Sequence, residues 1–234
     1  MTEATLLLAF EGLTGSRSST IGCPPFAPMA RELKCECGRP DLVGAPTLAS
    51  SLPSDPERLA DALRARAVSR VLSVLEPDSI IRPDDVMAAC GLSRATVTRA
   101  LAGLERSGLV VTLDKGEYAL ARGASEPRWQ LWAFEVKLDN WKRALYQAVQ
   151  YQAFAHVSVV VTAEEWAHRL ERHLDLFETS GVGAVAVDVS AGTARVMSLP
   201  RIGSPRSRFQ YYYALGNFLS ECSPPPRLPD RGTP

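Results

Sequence analysis

Apolar side chains recur at helical spacing in some stretches of the chain and gather in short runs in others. In residues 2–13, Leu6, Phe10 and Leu13 fall on one face of a helix. The same spacing predicts helices over residues 140–153, 163–179 and 209–219. Apolar runs and alternating positions predict strands over residues 32–37, 42–43, 130–138, 157–162, 184–189 and 194–199. The pattern therefore mixes helices and strands along most of the chain.

Residues 57–122 have their own helical and turn signals. A helical stripe comes first, formed by Leu59, Leu63, Val68, Leu72 and Leu75. Pro83 suits the first position of a second helix, and Gly91 ends it. Ser93 can cap a third helix. Residues 109–120 then predict a hairpin with its turn at 114–116.

This order of helices, tight turn, helix and hairpin is typical of a winged helix-turn-helix. Residues 92–110, which read LSRATVTRALAGLERSGLV, resemble the recognition helix and first wing strand of winged-helix DNA-binding domains. The resemblance implies DNA as a partner, contacted by the outward-facing Arg94, Thr98 and Arg99 and by Lys115 in the wing. Winged helices also serve as docking surfaces, so a protein–protein module stays open.

A Glu-x-Lys sequence closes the strand predicted over residues 130–138. Glu135 and Lys137 point to one face of that strand because side chains alternate along a strand with a period of two. Alone, the two residues would be an ordinary surface pair. Two further features give the pair a context: Pro40-Asp41 leads into the strand at 42–43, and a Q-x-x-x-Y, Gln147 to Tyr151, lies on the helix that follows Lys137.

Together these motifs resemble the PD-(D/E)XK nuclease superfamily, with the Q-x-x-x-Y variant of RecB-type nucleases. The resemblance implies that Asp41 and Glu135 hold a divalent metal, Mg²⁺ or Mn²⁺, and that Lys137 polarises the attacking water. It implies a helix against the active site that carries Gln147 and Tyr151. The family often has an acid on its first helix as well, so Glu3 or Glu11 is a further candidate metal ligand, although a solvated acid is the more common outcome.

The spacing of the two candidate carboxylates departs from the family pattern. Asp41 and Glu135 have 93 residues between them, and removing residues 53–127 leaves 18, which suits a hairpin. We therefore expect a restriction-endonuclease-like α/β core, a mixed sheet flanked by helices, interrupted by a winged-helix (α+β) insert. The predicted parts are residues 1–52 and 128–222 for the core, 53–127 for the insert, and 223–234 for a disordered, proline-rich tail.

Composition and charge add little to this prediction of fold and function. Lysine plus arginine and aspartate plus glutamate both number 26, so the net charge is zero and any basic face is local. Residues 58–122 hold ten basic and eight acidic side chains. No apolar run approaches the roughly 20 residues of a membrane span, and no signal peptide is predicted, so a cytoplasmic location with reduced thiols is expected. The C-x-C at Cys35 and Cys37 fits no standard zinc spacing.

Three functions remain open from the sequence. The first is a metal-dependent DNA endonuclease targeted by its winged helix. The second is a DNA-binding regulator that uses a nuclease-like core as a non-catalytic scaffold, and the third is the protein–protein module. The nuclease function is favoured by the presence of Asp41, Glu135 and Lys137, because a scaffold has no physical need for these three residues. The sequence also leaves a homodimer open.

Overall fold

The computed structural model describes residues 1–15, 26, 28–46, 56–121 and 129–222 of the chain. Residues 47–55 and 122–128, which contain the predicted junctions between core and insert, and the predicted tail lie outside these ranges. The helices are α1 (Glu3–Gly15), α2 (Pro56–Arg64), α3 (Arg66–Val74), α4 (Pro83–Cys90), α5 (Arg94–Arg106), α6 (Trp141–Tyr151), α7 (Ala167–Glu171), α8 (Leu174–Ser180) and α9 (Arg208–Cys222). The strands are β1 (Met29–Arg31), β2 (Leu42–Gly44), β3 (Ile80–Ile81), β4 (Val110–Thr112), β5 (Tyr118–Leu120), β6 (Trp132–Val136), β7 (Val157–Ala163), β8 (Gly183–Asp188) and β9 (Thr193–Ser198). No helix in these ranges is both long and apolar enough to cross a membrane.

A six-stranded mixed sheet organises the molecule, in the order β1-β2-β6-β7-β8-β9. The three central strands β6, β7 and β8 run parallel, and β1, β2 and β9 add antiparallel edges. Helix α6 makes the crossover from β6 to β7, and α7 and α8 make the one from β7 to β8. Because both faces are covered, β6 and β7 are buried along their whole length. This is the mixed sheet flanked by helices that the sequence predicts.

Neighbouring residues of β6 point to opposite faces of the sheet and so join different cores. Phe134 packs with Leu6 and Phe10 of α1, and the ring centroids of the two phenylalanines are 5.1 Å apart. Ala133 belongs to the other face, together with Tyr151 of α6 and with residues of α9. Glu135 is two positions from Ala133, which directs it to the face that α6 covers.

Residues 56–121 form four helices and a small three-stranded sheet in the order β3-β5-β4. The predicted helix limits are confirmed: Pro83 begins α4, and Gly91 ends it in the left-handed conformation. The Oγ of Ser93 accepts a hydrogen bond from the N–H of Thr96 at 3.3 Å and caps α5. The predicted hairpin is confirmed as β4 and β5.

The hydrophobic core of this region is continuous with the core beneath the large sheet, because α2 and α3 pack against α9. The closest approach is at Gly216 of α9, where an added Cβ would lie 2.7 Å from the Cβ of Leu63. A glycine therefore sets the distance between α2 and α9. The two regions are joined by packed side chains as well as by the chain itself.

Three predicted elements are wrong. The first helix predicted in residues 57–122 is two helices, α2 and α3, with Ala65 between them. The strand predicted over residues 32–37 is instead a tight turn, because Glu32 and Gly38 adopt positive φ angles of 48° and 136° and the N–H of Cys35 donates to the carbonyl of Gly38 at 3.0 Å. The strand lies just before it, at β1. The single helix predicted over residues 163–179 is a 3₁₀ turn followed by α7 and α8, and the break at His173 lets its ring stack on Trp141 at 4.4 Å.

Candidate active site

Strands β2 and β6 bring Asp41 and Glu135 together despite their separation in sequence. Leu42 is paired with Phe134 in the antiparallel register, so the preceding Asp41 lies beside Glu135. The Oδ2 of Asp41 accepts a hydrogen bond from the N–H of Val136 at 2.7 Å. This bond fixes the Asp41 carboxylate at the end of β6.

Glu135 is a buried carboxylate with two partners on neighbouring elements. Its side chain is almost completely enclosed, at 1% relative exposure. The hydroxyl of Tyr151 donates to its Oε2 at 2.7 Å, and the Nζ of Lys137 lies 3.4 Å from its Oε1. Helix α6 thus returns over the end of β6, and the two bonds hold the carboxylate from both sides.

Lys137 stands where three acidic side chains converge. Besides Glu135, it pairs with Oε2 of Glu3 on α1 at 3.2 Å, and its charge is coupled to that of Asp41. Its backbone N–H donates to the carbonyl of Val161 at 2.9 Å, which continues the β6–β7 pairing one residue beyond β6. Glu11, the other acid considered on α1, pairs instead with Arg31.

The electrostatic balance of this cluster is negative. Burial is the main cause that raises the pKa of Asp41 and of Glu135, and neighbouring carboxylates raise both further. Burial works against the charged form of Lys137, but the surrounding carboxylates outweigh it and raise the pKa of its ammonium. One cation therefore faces the three carboxylates Asp41, Glu135 and Glu3.

Gln147 lies one helical turn before Tyr151, on the same side of α6, and interacts with the Tyr151 hydroxyl. Its Oε1 is buried and has no hydrogen-bond partner among the described residues. Burial is the main cause that raises the pKa of Tyr151, and its bond to Glu135 adds to it, so the phenol stays protonated and acts as a donor. A buried amide oxygen without a partner is rare in proteins and marks this position for a ligand group or water.

Gly38 is a site residue that sequence reasoning reads only as part of a turn. Its backbone has φ = 136°, and a Cβ added there would lie 3.2 Å from Cε1 of Tyr151. The glycine thus allows the turn that leads to Asp41 to lie against the Tyr151 ring. The signal in the sequence is the Gly-Arg-Pro-Asp run itself, but only the fold shows which ring the glycine meets.

The donor set suits a hard divalent cation. Asp41 and Glu135 offer carboxylate oxygens, the ligands that Mg²⁺ and Mn²⁺ prefer, in a cluster whose negative charge exceeds its positive charge. No group of three or more His, Cys, Asp or Glu residues in the described ranges is arranged to hold a metal ion. Glu3, predicted as a third ligand, is turned toward Lys137. The fit therefore rests on two carboxylates, and other oxygen ligands would have to complete the shell of a bound ion.

The residues predicted to contact DNA lie on α5 and in the β4–β5 turn. Arg94, Thr98 and Arg99 are all exposed. Arg94 is paired with Asp84 at the start of α4, whereas the Nε of Arg99 donates to the carbonyl of Ala95 in its own helix, at 3.3 Å. The backbone of Lys115 lies in the 3₁₀ turn between β4 and β5, and its side chain lies outside the described part of the structure.

Comparison with known proteins adds no relative: no family model, no curated protein and no solved structure matches this chain.

Proposed function

We propose that the protein is a metal-dependent DNA endonuclease with a restriction-endonuclease-like core and a winged-helix insert. The observation that carries the proposal is the cluster at the end of β6. Asp41 and Glu135, with 93 residues between them, lie side by side and share Lys137. Buried carboxylates beside one lysine are costly to a fold unless the site has a use for their charge.

Each residue has a role that its contacts support. Asp41 and Glu135 would hold the divalent ion, which when bound lowers the pKa of a water and neutralises charge on the phosphate. Lys137 orients the attacking water and donates to it. Tyr151 holds the Glu135 carboxylate through its 2.7 Å bond, and the amide oxygen of Gln147, which has no partner in the ranges that the structure describes, can receive a donor from water or substrate.

The winged-helix proposal rests on the order of elements in residues 56–121. Helices α3, α4 and α5 precede the β4–β5 hairpin, and β3 completes a small sheet. The exposed residues of α5 include Arg94, Thr98 and Arg99, in the N-terminal half that meets base edges in such domains. Packing of α2 and α3 on α9 would hold this reading surface fixed relative to the cleavage site.

The experiment separates cleavage from binding. Purified wild type is incubated with plasmid, duplex, branched and single-stranded DNA in Mg²⁺, Mn²⁺ or EDTA. We expect cleavage only with metal, and expect Lys137→Ala to abolish it while duplex binding stays near the wild-type value. Lys34→Ala is the matched control, because Lys34 is exposed and, within the described part of the chain, bonds only through its backbone carbonyl, which accepts from Nδ2 of Asn217. Cleavage that persists in EDTA, or that Lys137→Ala retains, contradicts the proposal.

A non-catalytic DNA-binding regulator is the second candidate, and one observation favours it. The Asp41 carboxylate accepts the Val136 N–H, and both Glu135 oxygens have protein partners. A closed ion network of this kind can hold a scaffold together without metal. Specific duplex binding with no cleavage of any substrate in either metal would support the regulator over the nuclease.

A further inference from the structure

The outward face of α6 continues directly from the candidate active site. Ala144, Ala148 and Tyr151 are the buried residues of this helix. One flank of this buried stripe leads around the helix from Tyr151 toward its outward face. In order of increasing angle from Tyr151, the side chains on this flank are Gln147, then Arg143 and Gln150, and last Tyr146. A ligand leaving the site along this flank would meet these side chains in that order.

Tyr146 is the outermost of these residues and one of the most exposed large side chains of the described chain, at 64% relative exposure. Its hydroxyl accepts a hydrogen bond from Nε2 of Gln150 at 3.0 Å, so the side chain is held at its polar tip while its ring faces solvent. No ring or cationic partner for Tyr146 is found among the described residues. An exposed aromatic ring held in place is the arrangement that stacks on a planar partner at little entropic cost.

The charge of the helix indicates what that partner is. Between Trp141 and Tyr151, α6 has two basic residues, Lys142 and Arg143, and no acidic one. A basic helix face with an exposed ring complements an anionic polymer that has planar groups, which is the chemistry of a nucleic-acid strand.

We propose that Tyr146 stacks on an unpaired base next to the cleavage site, so that the enzyme acts on DNA with a single-stranded segment. This inference rests on the proposed nuclease function and names its substrate class. In an intact duplex the base faces are covered by their neighbours, whereas an unpaired nucleotide offers a free face to the ring. Arg143, one helical turn before Gln147, holds the phosphate of the same nucleotide segment.

The test measures binding in EDTA, where no cleavage takes place. Fluorescence anisotropy compares a labelled thymidine strand of roughly 20 nucleotides with an abasic strand of the same length, which keeps the phosphates and lacks the bases. We expect Tyr146→Ala to weaken binding of the thymidine strand by about 5- to 100-fold and to leave binding of the abasic strand unchanged. Tyr146→Phe, which keeps the ring and loses the bond to Gln150, stays near wild type. Arg143→Ala weakens both strands alike.

Each other outcome overturns the inference. If Tyr146→Ala binds the thymidine strand like wild type, or loses both strands equally, the ring does not stack on bases. Failure of the wild-type protein to bind the thymidine strand overturns the inference as well. The nuclease proposal is tested separately by cleavage of plasmid, duplex, branched and single-stranded DNA in Mg²⁺. Cleavage by wild type together with unchanged strand binding by Tyr146→Ala would remove the stacking role and leave the proposed function standing.

Discussion

Substitution of Tyr151 by phenylalanine tests how the buried Glu135 is held. The change removes one oxygen atom and keeps the ring, which lies between the turn at Gly38 and the core. The lost atom is the hydroxyl that donates to Oε2 of Glu135 at 2.7 Å. Because Glu135 is 1% exposed, water cannot replace that donor without a rearrangement of the site.

The magnitude follows from the kind of bond removed. A hydrogen bond to a charged group contributes about 1.5–3 kcal/mol, and the acceptor left behind is buried. We therefore expect Tyr151→Phe to lower the free energy of unfolding by about 2–3 kcal/mol, against the roughly 5–15 kcal/mol typical of a whole protein. For a chain of this size each kcal/mol corresponds to a fall in Tm of about 2–4 °C.

Urea denaturation followed by circular dichroism measures the effect, with the slope of the transition checked for constancy. Tyr146→Phe is the matched control on the same helix. It removes a hydroxyl that bonds to Gln150 at an exposed position, so we expect a change within about 0.5 kcal/mol. Equal stability of the two variants would contradict this expectation, because the bond to Glu135 would then contribute no more stability than the exposed bond to Gln150.

Three further predictions concern packing, pH and DNA contact. Gly216→Ala, whose Cβ would lie 2.7 Å from that of Leu63, lowers the free energy of unfolding by about 1–3 kcal/mol in urea titrations, whereas Gly12→Ala, with nothing within 4 Å, is neutral or stabilising. Burial lowers the pKa of His156 to about 4, below its unfolded value near 6.5, so the free energy of unfolding falls by about 1–3 kcal/mol as the pH drops from 6.5 toward 4. The His156→Gln variant should lose less stability over that range, and an equal loss would exclude His156 as the cause. Arg99→Ala weakens duplex binding in anisotropy assays by roughly 1–3 kcal/mol if it contacts a base and by less at a phosphate, and unchanged binding would count against α5 as the reading helix.

Local signals were sufficient where an element depends on its own residues. Pro83, Gly91 and Ser93 determine the limits of α4 and α5 because caps act within one helical turn. The local signals failed where contacts with distant parts of the chain determine the backbone conformation. Of the alternating apolar residues after Glu32, Leu33 is buried and Cys35 and Cys37 are half-buried in a core that includes α9, and they lie in a tight turn rather than along a strand. The break at His173 accompanies its stack on Trp141. Neither partner is visible in the local sequence.

The candidate site likewise has contacts that the sequence indicated and contacts that it did not. The resemblance of the motifs to a nuclease superfamily was enough to expect Asp41, Glu135 and Lys137 near one another, and the structure brings them together. Their roles stay predictions. The sequence did not indicate that Glu3 would pair with Lys137, or that Gly38 would lie against Tyr151, because both contacts depend on how α1 and α6 pack on opposite faces of one sheet.

The proposed metal-dependent cleavage of DNA is best tested by following the conversion of supercoiled plasmid to nicked or linear DNA by the wild-type protein. We expect conversion in Mg²⁺ or Mn²⁺, none in EDTA, and none with Glu135→Gln, which removes the negative charge of a carboxylate that is 1% exposed. Conversion by Glu135→Gln at the wild-type rate, or by the wild type in EDTA, would contradict the claim that these carboxylates form the catalytic site.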